Sequence, residues 1–475
     1  MTRRKLAIIG NGMATGRLLD DLARRGGLKM FDVSVFGEEP HGCYNRILLN
    51  RILDGGSADE IILKPAAWYA ENGVTFRSGL RVNRVSHGTN RLWTANGAEH
   101  FFDVAVFATG SVPRIPTVDG VNGPNGKPKP GVFAYRTIAD VERMRAAAKP
   151  GSRAVVVGGG LLGLEAAKGL ADLGVHVTVA HLFDTLMNRQ VDALGGQFLR
   201  RAIEKLGIAV RTSANTKAVL GRDRVTGLSL GGGQELPADF VVFASGIRPR
   251  VDLATEAEVP TNSGILVDDR MQTDLPDVYA VGECAEHGGV VYGTVQPIYE
   301  QCAVLADVLT GANPAARYRG SKVYTKLKVA GVEVASMGAI EAVHADDEVV
   351  QVIEEKRGVY RKLVIQNGRL SGAVLVGDAS AAAGLVRRFE RGDPLPPNRL
   401  DVFASPERTA LPAVNELVCN CHGVTRGMLT DAVRGGCRTV QDLSAKTGAG
   451  TGCGSCLGQI AALVGKAAKP AAVAV

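Results

Sequence analysis

No stretch of 18 consecutive apolar residues occurs in the chain, so no segment is long enough to cross a bilayer as a helix. A one-sided charge is missing too. Lys and Arg number 55 against 48 Asp and Glu, and the net +7 is scattered over 475 residues, which speaks against nucleic-acid binding. Proline is sparse at 20, whereas glycine reaches 59 residues, well above the usual ~7%. Glycine excess without proline excess is not low complexity; it points to many close backbone approaches. Apolar residues at 45% and charged residues at 22% are those of an ordinary folded chain. At roughly 100–200 residues per domain the length predicts three or so domains.

Thr2-Arg3-Arg4-Lys5-Leu6 has the look of a twin-arginine export signal. Its apolar run is cut by Gly10-Asn11-Gly12, and Asp20-Asp21 follows without a small-residue cleavage site, so a cytoplasmic chain is expected. Cysteine placement agrees with a reducing compartment. Cys43, Cys284 and Cys302 are isolated and read as small apolar residues. Cys419, Cys421, Cys437, Cys453 and Cys456 crowd the C-terminal segment, which suggests a metal before disulfides.

Two strand–glycine–helix openings recur about 150 residues apart. A β-branched apolar run at 5–9 leads into Gly10-Asn11-Gly12-Met13-Ala14-Thr15, and another at 153–157 into Gly158-Gly159-Gly160-Leu161-Leu162-Gly163. Each is followed by a helix-period segment and a second apolar run (33–36 and 175–179), which makes βαβ twice. Such a turn lets a pyrophosphate reach N–H groups at a helix N-terminus. The second opening fits G-x-G-x-x-G fully; the first has Thr15 at the third glycine, with Gly16 after it. An acidic residue about 20 positions on accepts from a ribose 2′-hydroxyl in such sites. Glu38 and Glu39 answer to it at the first site, whereas the second has Ala180-His181. A neutral His181 would bond a 2′-hydroxyl; charged, and with Arg189 near, it would tolerate a 2′-phosphate. The lack of an arginine cluster favours NADH over NADPH.

These motifs resemble the two-dinucleotide-binding flavoproteins, in which the first site holds FAD and the second NAD(P)H. Similar to that family's linking motif are Ala108-Thr109-Gly110-Ser111-Val112-Pro113 and Ala244-Ser245-Gly246-Ile247-Arg248-Pro249. Its late FAD motif is matched by residues 273–283, with Glu283 where Asp is usual. The resemblance implies FAD contacts from Gly10, Gly12, Met13, Ala14, Glu38, Glu39, Arg46, Arg51, Val82, Ala108, Thr109, Gly110, Gly282, Glu283 and Pro297. It implies NAD(P)H contacts from Gly158, Gly160, Leu161, Leu162, Gly163, Glu165, His181, Ser245 and Gly246. Residues 44–51 resemble a flavin-lining segment of ferredoxin and rubredoxin reductases, which casts Arg51 as a catalytic cation paired with Glu165. Disulfide reductases on this scaffold carry C-x-x-x-x-C beside the flavin; no such spacing occurs here, so electrons must leave by another route.

The tail supplies one. Cys419-Asn420-Cys421 and Cys453-Gly454-Ser455-Cys456 form two tight thiol pairs, the second in a run of glycines whose N–H groups approach sulfur closely. Spacing alone leaves a four-cysteine zinc knuckle open beside an iron–sulfur cluster. Thr425 is expected to cap one short helix, Thr439 with Asp442 to form a capping box on the next, and a third to start near Cys456. Cys437 lies outside both pairs and is read as structural. Around the pairs, residues 418–424 and 447–456 resemble the [2Fe-2S] module of bacterioferritin-associated ferredoxin, which implies Cys419, Cys421, Cys453 and Cys456 as ligands. Adjacent His422 stands as a lesser candidate ligand.

The expected architecture is α/β: two Rossmann-like dinucleotide-binding domains, a small α+β domain and a small helical [2Fe-2S] module. The boundaries are 1–112 with 245–320 for FAD, 113–244 for NAD(P)H, 321–400 for the α+β domain, 401–415 for a linker and 416–475 for the module. In this order the parts resemble the electron-transfer subunits of assimilatory nitrate reductases and the N-terminal half of NAD(P)H nitrite reductases. No cysteine motif for a sirohaem–[4Fe-4S] centre follows the module. The implied role is therefore oxidation of NAD(P)H by FAD, with electrons leaving singly through [2Fe-2S] to a redox partner, foremost a molybdenum-dependent nitrate reductase catalytic subunit. Three rivals stand beside it: a reductase for a nitrite reductase, ferredoxin or rubredoxin; an NADH oxidase or peroxidase that uses Cys43; and a non-catalytic iron-handling or redox-sensing protein.

Overall fold

The computed structural model describes residues 3–404, 417–419, 421–452, 454 and 456–467; most of the expected 401–415 linker and Cys453 lie outside them. The apolar run of the first opening becomes strand Arg4–Ile9, fully buried from Leu6 onward and flanked by parallel strands Phe31–Phe36 and Val104–Phe107. Strands Thr75–Arg77 and Val278–Ala280 complete a five-stranded parallel sheet. Strands buried on both faces read as unbroken apolar runs, which is why periodicity finds them so readily here.

The second opening repeats this plan. Strand Arg153–Val157 lies between His176–Ala180 and Phe240–Phe243, with Ala209–Arg211 and Val132–Ala134 at the edges. Each half also carries a three-stranded antiparallel meander, at 82–101 and 216–237. The two linking motifs pair with each other: Ser111–Pro113 runs antiparallel to Ile247–Pro249, in register Val112↔Arg248. The chain thus crosses between the halves on a two-stranded ribbon.

Residues 324–376 form a five-stranded antiparallel sheet covered by helix Ala382–Arg391. Its central hairpin turns at Asn367-Gly368, both at positive φ (51° and 70°), as a two-residue turn of mirror type requires. Asp192 fastens this sheet to the second half. It caps helix Ala193–Glu204 by accepting from Gly195 N–H, and it also accepts from the Tyr360 hydroxyl (2.6 Å) and from Lys362 Nζ (3.0 Å). In the tail, short strands Leu417–Cys419 and Val424–Thr425 precede helices Arg426–Arg434, Val440–Thr447 and Leu457–Ala467. Thr425 caps the first helix, and Thr439 with Asp442 boxes the second. Among the described residues no helix is long and apolar enough to cross a membrane.

Candidate functional site

A cavity of about 470 Å³ is bounded by all parts of the molecule. The first half contributes the turn Gly10, Gly12, Met13 and Ala14, then Glu38, Glu39, Ala108, Thr109, Gly110, Gly282 and Glu283. From the second half come Leu161, Leu162 and Glu165, from the small sheet Tyr324 and Lys326, and from the tail Cys421.

Backbone geometry explains the glycines. Gly10 (φ +112°) and Gly158 (φ +125°) press on the carbonyls of Ala108 and Ala244, where an added Cβ would stand only 2.1 and 2.3 Å away. Gly12 and Gly160 do the opposite. Nothing lies within 4 Å of the place a Cβ would take, so each turn keeps open the approach a pyrophosphate needs. Gly163 allows its helix to close on the Gly158 carbonyl (2.0 Å from a Cβ). At the other end of the ribbon, Ser245 Oγ donates to the Arg114 carbonyl (2.6 Å), and Gly246 O accepts from Arg114 N–H.

Two arginines knit the carboxylates into the cleft wall. Glu39 pairs with Arg46 and accepts from the Tyr44 hydroxyl (2.8 Å), while Arg46 also donates to the Arg136 carbonyl (2.9 Å). Arg136 pairs with Glu283 and donates to Ser111 Oγ (2.8 Å), which donates to Glu283 (2.6 Å). Glu38 accepts from Arg250 (2.8 Å). Since each carboxylate takes about four hydrogen bonds, these pairings leave capacity for ribose or ribityl hydroxyls. Arg136 and Arg250 were not foreseen, because only the fold brings them to residues 147 and 212 positions away.

Several expected contacts fall elsewhere. Arg51 does not meet Glu165: helix Leu49–Leu53 buries Leu49, Ile52 and Leu53, and that spacing turns Arg51 outward, where it is exposed. The charge that acts on Glu165 is Asp54, and burial first, then this neighbour, lifts its carboxyl to about 7. The His181 ring is likewise turned into the fold. It is buried, its Nδ1 accepts from Gly159 N–H (3.0 Å), and its Nε2 lies 3.0 Å from the Thr185 carbonyl, so both ring nitrogens are committed to the turn. Burial also lowers its pKa and keeps it neutral. Val82 packs into the core opposite Thr94 and is not among the residues that line the cleft, and Pro297 is buried in helix Val295–Thr310, whose Val295, Gln296, Ile298 and Tyr299 line the cavity instead.

Thiol chemistry divides as the spacing suggested. Cys43, Cys284 and Cys302 are completely buried, and burial raises all three, Cys43 to about 12, so none is a thiolate near neutral pH. Cys437 sits in the apolar core of the tail with Leu429 and Leu443. Cys419 and Cys456 are buried in that same core, whereas Cys421 is half-buried and reaches the cavity. Cys456 directly precedes helix Leu457–Ala467. Gly452 lets the second thiol loop close on the first: a Cβ there would be 3.1 Å from Cys421 Sγ. Soft donors crowded among glycines suit an iron–sulfur cluster. His422 is not a free ligand, since its Nδ1 meets Arg17 (3.1 Å) and its Nε2 meets Thr451 Oγ1 (2.9 Å).

One cavity lined by Gly12 of the first turn, by Leu161 at the helix start of the second and by Cys421 of the tail defines the class: a two-dinucleotide-binding fold with an attached cysteine module. By its sequence the chain belongs to the pyridine nucleotide-disulphide oxidoreductase family, whose model matches residues 4–304. The rubredoxin NAD+ reductase C-terminal domain matches 324–392 and the BFD-like [2Fe-2S] binding domain 417–466. The chain is 38% identical to the nitrite reductase [NAD(P)H] of Bacillus subtilis (96% of this chain, 57% of that one). It is 34% identical to the assimilatory nitrate reductase electron transfer subunit of the same organism (96% and 59%). It thus spans little more than half the length of these relatives. The NADH:rubredoxin oxidoreductase structure from Clostridium acetobutylicum shares the fold (TM-score 0.69, 23% identity, 85% of this chain and 99% of that one). The chain thus joins the FAD- and NAD(P)H-binding fold of that family to a [2Fe-2S] binding domain.

Proposed function

We propose that this chain draws electrons from NADH and hands them to the catalytic partner of an assimilatory nitrate reductase. The observation that carries this reading is the shared cavity, which Cys421 of the tail lines together with Gly12 and Glu283 of the first half. A flavin supplies the needed conversion when bound, since it takes a hydride and gives up electrons singly. The protein supplies place and field. The Gly10–Gly12 and Gly158–Gly160 turns offer N–H groups at helix N-termini to two pyrophosphates. Arg46 and Arg136 fix Glu39 and Glu283 on the wall, and Glu38 remains half-exposed to receive a hydroxyl. Glu165, titrating at about 7, holds or releases a proton at its carboxyl near neutrality. Of the expected site residues, Arg46 replaces Arg51 as the cleft cation in this reading.

NADH is preferred to NADPH because the second site presents neutral His181 followed by exposed Leu182, Phe183 and Asp184, and the Asp184 carboxylate would repel a 2′-phosphate. Cys419, Cys421, Cys453 and Cys456 are proposed to hold the cluster. Nitrite reductase is the second reading for the partner, favoured by the relative at 38% identity. The test mixes NADH and the reconstituted protein with a molybdenum nitrate reductase subunit and nitrate, or with a sirohaem nitrite reductase and nitrite. NADH-dependent nitrite formation supports the first reading, and ammonium formation alone the second. NADH consumption with oxygen as the only competent acceptor would overturn both.

A further inference from the structure

The tail is held to the first half by polar contacts aimed at the two thiol loops themselves. Asn45, fully buried, donates from Nδ2 to the carbonyls of Thr451 (3.0 Å) and Gly452 (2.7 Å), the two residues before Cys453. Its Oδ1 accepts from Ile47 N–H (3.1 Å), so the amide has one satisfactory orientation. On the other loop Arg17 Nη1 meets His422 Nδ1, one residue beyond Cys421. Thr451 Oγ1 donates to the Gly448 carbonyl (2.7 Å), so His422 must donate from Nε2 to that hydroxyl, which leaves Nδ1 to accept from Arg17. All donor and acceptor directions agree. Tyr299 meets the His422 ring edge-on at 5.2 Å, and the Arg17 guanidinium lies 5.1 Å over Tyr299.

We infer that Asn45 and Arg17 are positioning residues that seat the cluster module against the flavin half for the internal electron step. The inference rests on the cofactor assignment above. In that step one electron leaves the reduced flavin and reduces the oxidised cluster; no covalent bond forms, and the flavin proton goes to solvent. A tether alone supplies a high local concentration, but it does not select an orientation. Asn45 and Arg17 do, because each binds a loop that bears thiols. Arg17 lies on helix Met13–Arg24 with Asp21 as its ion-pair partner, so its loss leaves the glycine turn in place.

The test uses the full chain with FAD and cluster, as wild type, Arg17→Ala, Arg17→Lys and Asn45→Ala. Stopped-flow absorbance separates flavin reduction by NADH from the later bleaching of the cluster, and hydrogen exchange reads residues 421–424 and 448–452. Arg17→Ala is expected to keep flavin reduction, iron content and the EPR spectrum. It should raise exchange in both loops and slow flavin-to-cluster transfer by about tenfold. Asn45→Ala should slow it further, and Arg17→Lys should recover part of the rate. Faster exchange with an unchanged transfer rate would overturn the seat, and so would unchanged exchange. A wild-type cluster that NADH cannot reduce would instead overturn the cofactor reading, and the seat with it.

Discussion

Thr15 Oγ1 donates a 2.8 Å hydrogen bond to the carbonyl of Gly10. At the same position of the second turn stands Gly163, whose missing side chain lets the helix close on the Gly158 carbonyl. The two turns thus treat the equivalent carbonyl differently: in the first a hydroxyl donates to it, and in the second a bare backbone closes on it. Gly16, against which Cys43 Sγ packs, supplies the close approach that Thr15 cannot (2.6 Å from an added Cβ).

Thr15→Val keeps the shape and deletes the donor. A buried acceptor left unpaired costs ~1–3 kcal/mol, so urea denaturation of the FAD-free protein should show a loss of that order. Thr15→Ser should restore most of it. Equal stability of Val and Thr would mean that the bond contributes nothing.

Arg46 and Arg51 should separate cleanly. Arg51 is exposed, and surface substitutions of this kind change stability by about 0.5 kcal/mol or less. Arg51→Ala should therefore leave flavin content and NADH–dye turnover within about twofold of wild type. Arg46→Ala strips Glu39 of its ion-pair partner in the cleft wall and should lower flavin retention, read as the ratio of flavin to protein absorbance. The reverse pattern would reinstate Arg51 as the cleft cation.

Glu165 makes stability depend on pH. Its folded value of about 7 stands above an unfolded value near ~4.3. The folded protein therefore binds more protons than the unfolded chain between these limits. The contribution of this group is fully present below that window and is lost as pH rises through about 7. Glu165→Gln removes the dependence. The melting temperature of the variant relative to wild type should rise from acid to mildly alkaline buffer, and a constant difference would refute the elevated value.

His181→Ala tests how the second turn works. With the ring committed to Gly159 and Thr185, its removal should loosen the turn and raise KM for NADH and NADPH alike. A change in their ratio would show that the ring does meet the ribose.

Much of the fold could be read from the chain because its signals are local. Strands Arg4–Ile9 and Arg153–Val157 are apolar on both faces, Asn367-Gly368 demands its hairpin, and Thr439 with Asp442 closes a capping box within one helical turn. Arg51 and His181 misled for a common reason. A motif places a residue near a site, but one step along a helix or one buried ring decides whether it faces the site. Arg51 was turned outward by the burial of Leu49, Ile52 and Leu53, a pattern present in the sequence and outweighed by resemblance.

Spacing by itself pointed to the two dinucleotide turns and the thiol pairs, since the glycines and cysteines that mark them recur within a few residues of one another. Only the folded molecule decided that Arg136 reaches Glu283, that Asp54 is the charge beside Glu165, and that Asn45 grips the loop before Cys453. Those pairings join residues far apart in sequence, and directional bonds form only after packing has brought their atoms within about 3 Å.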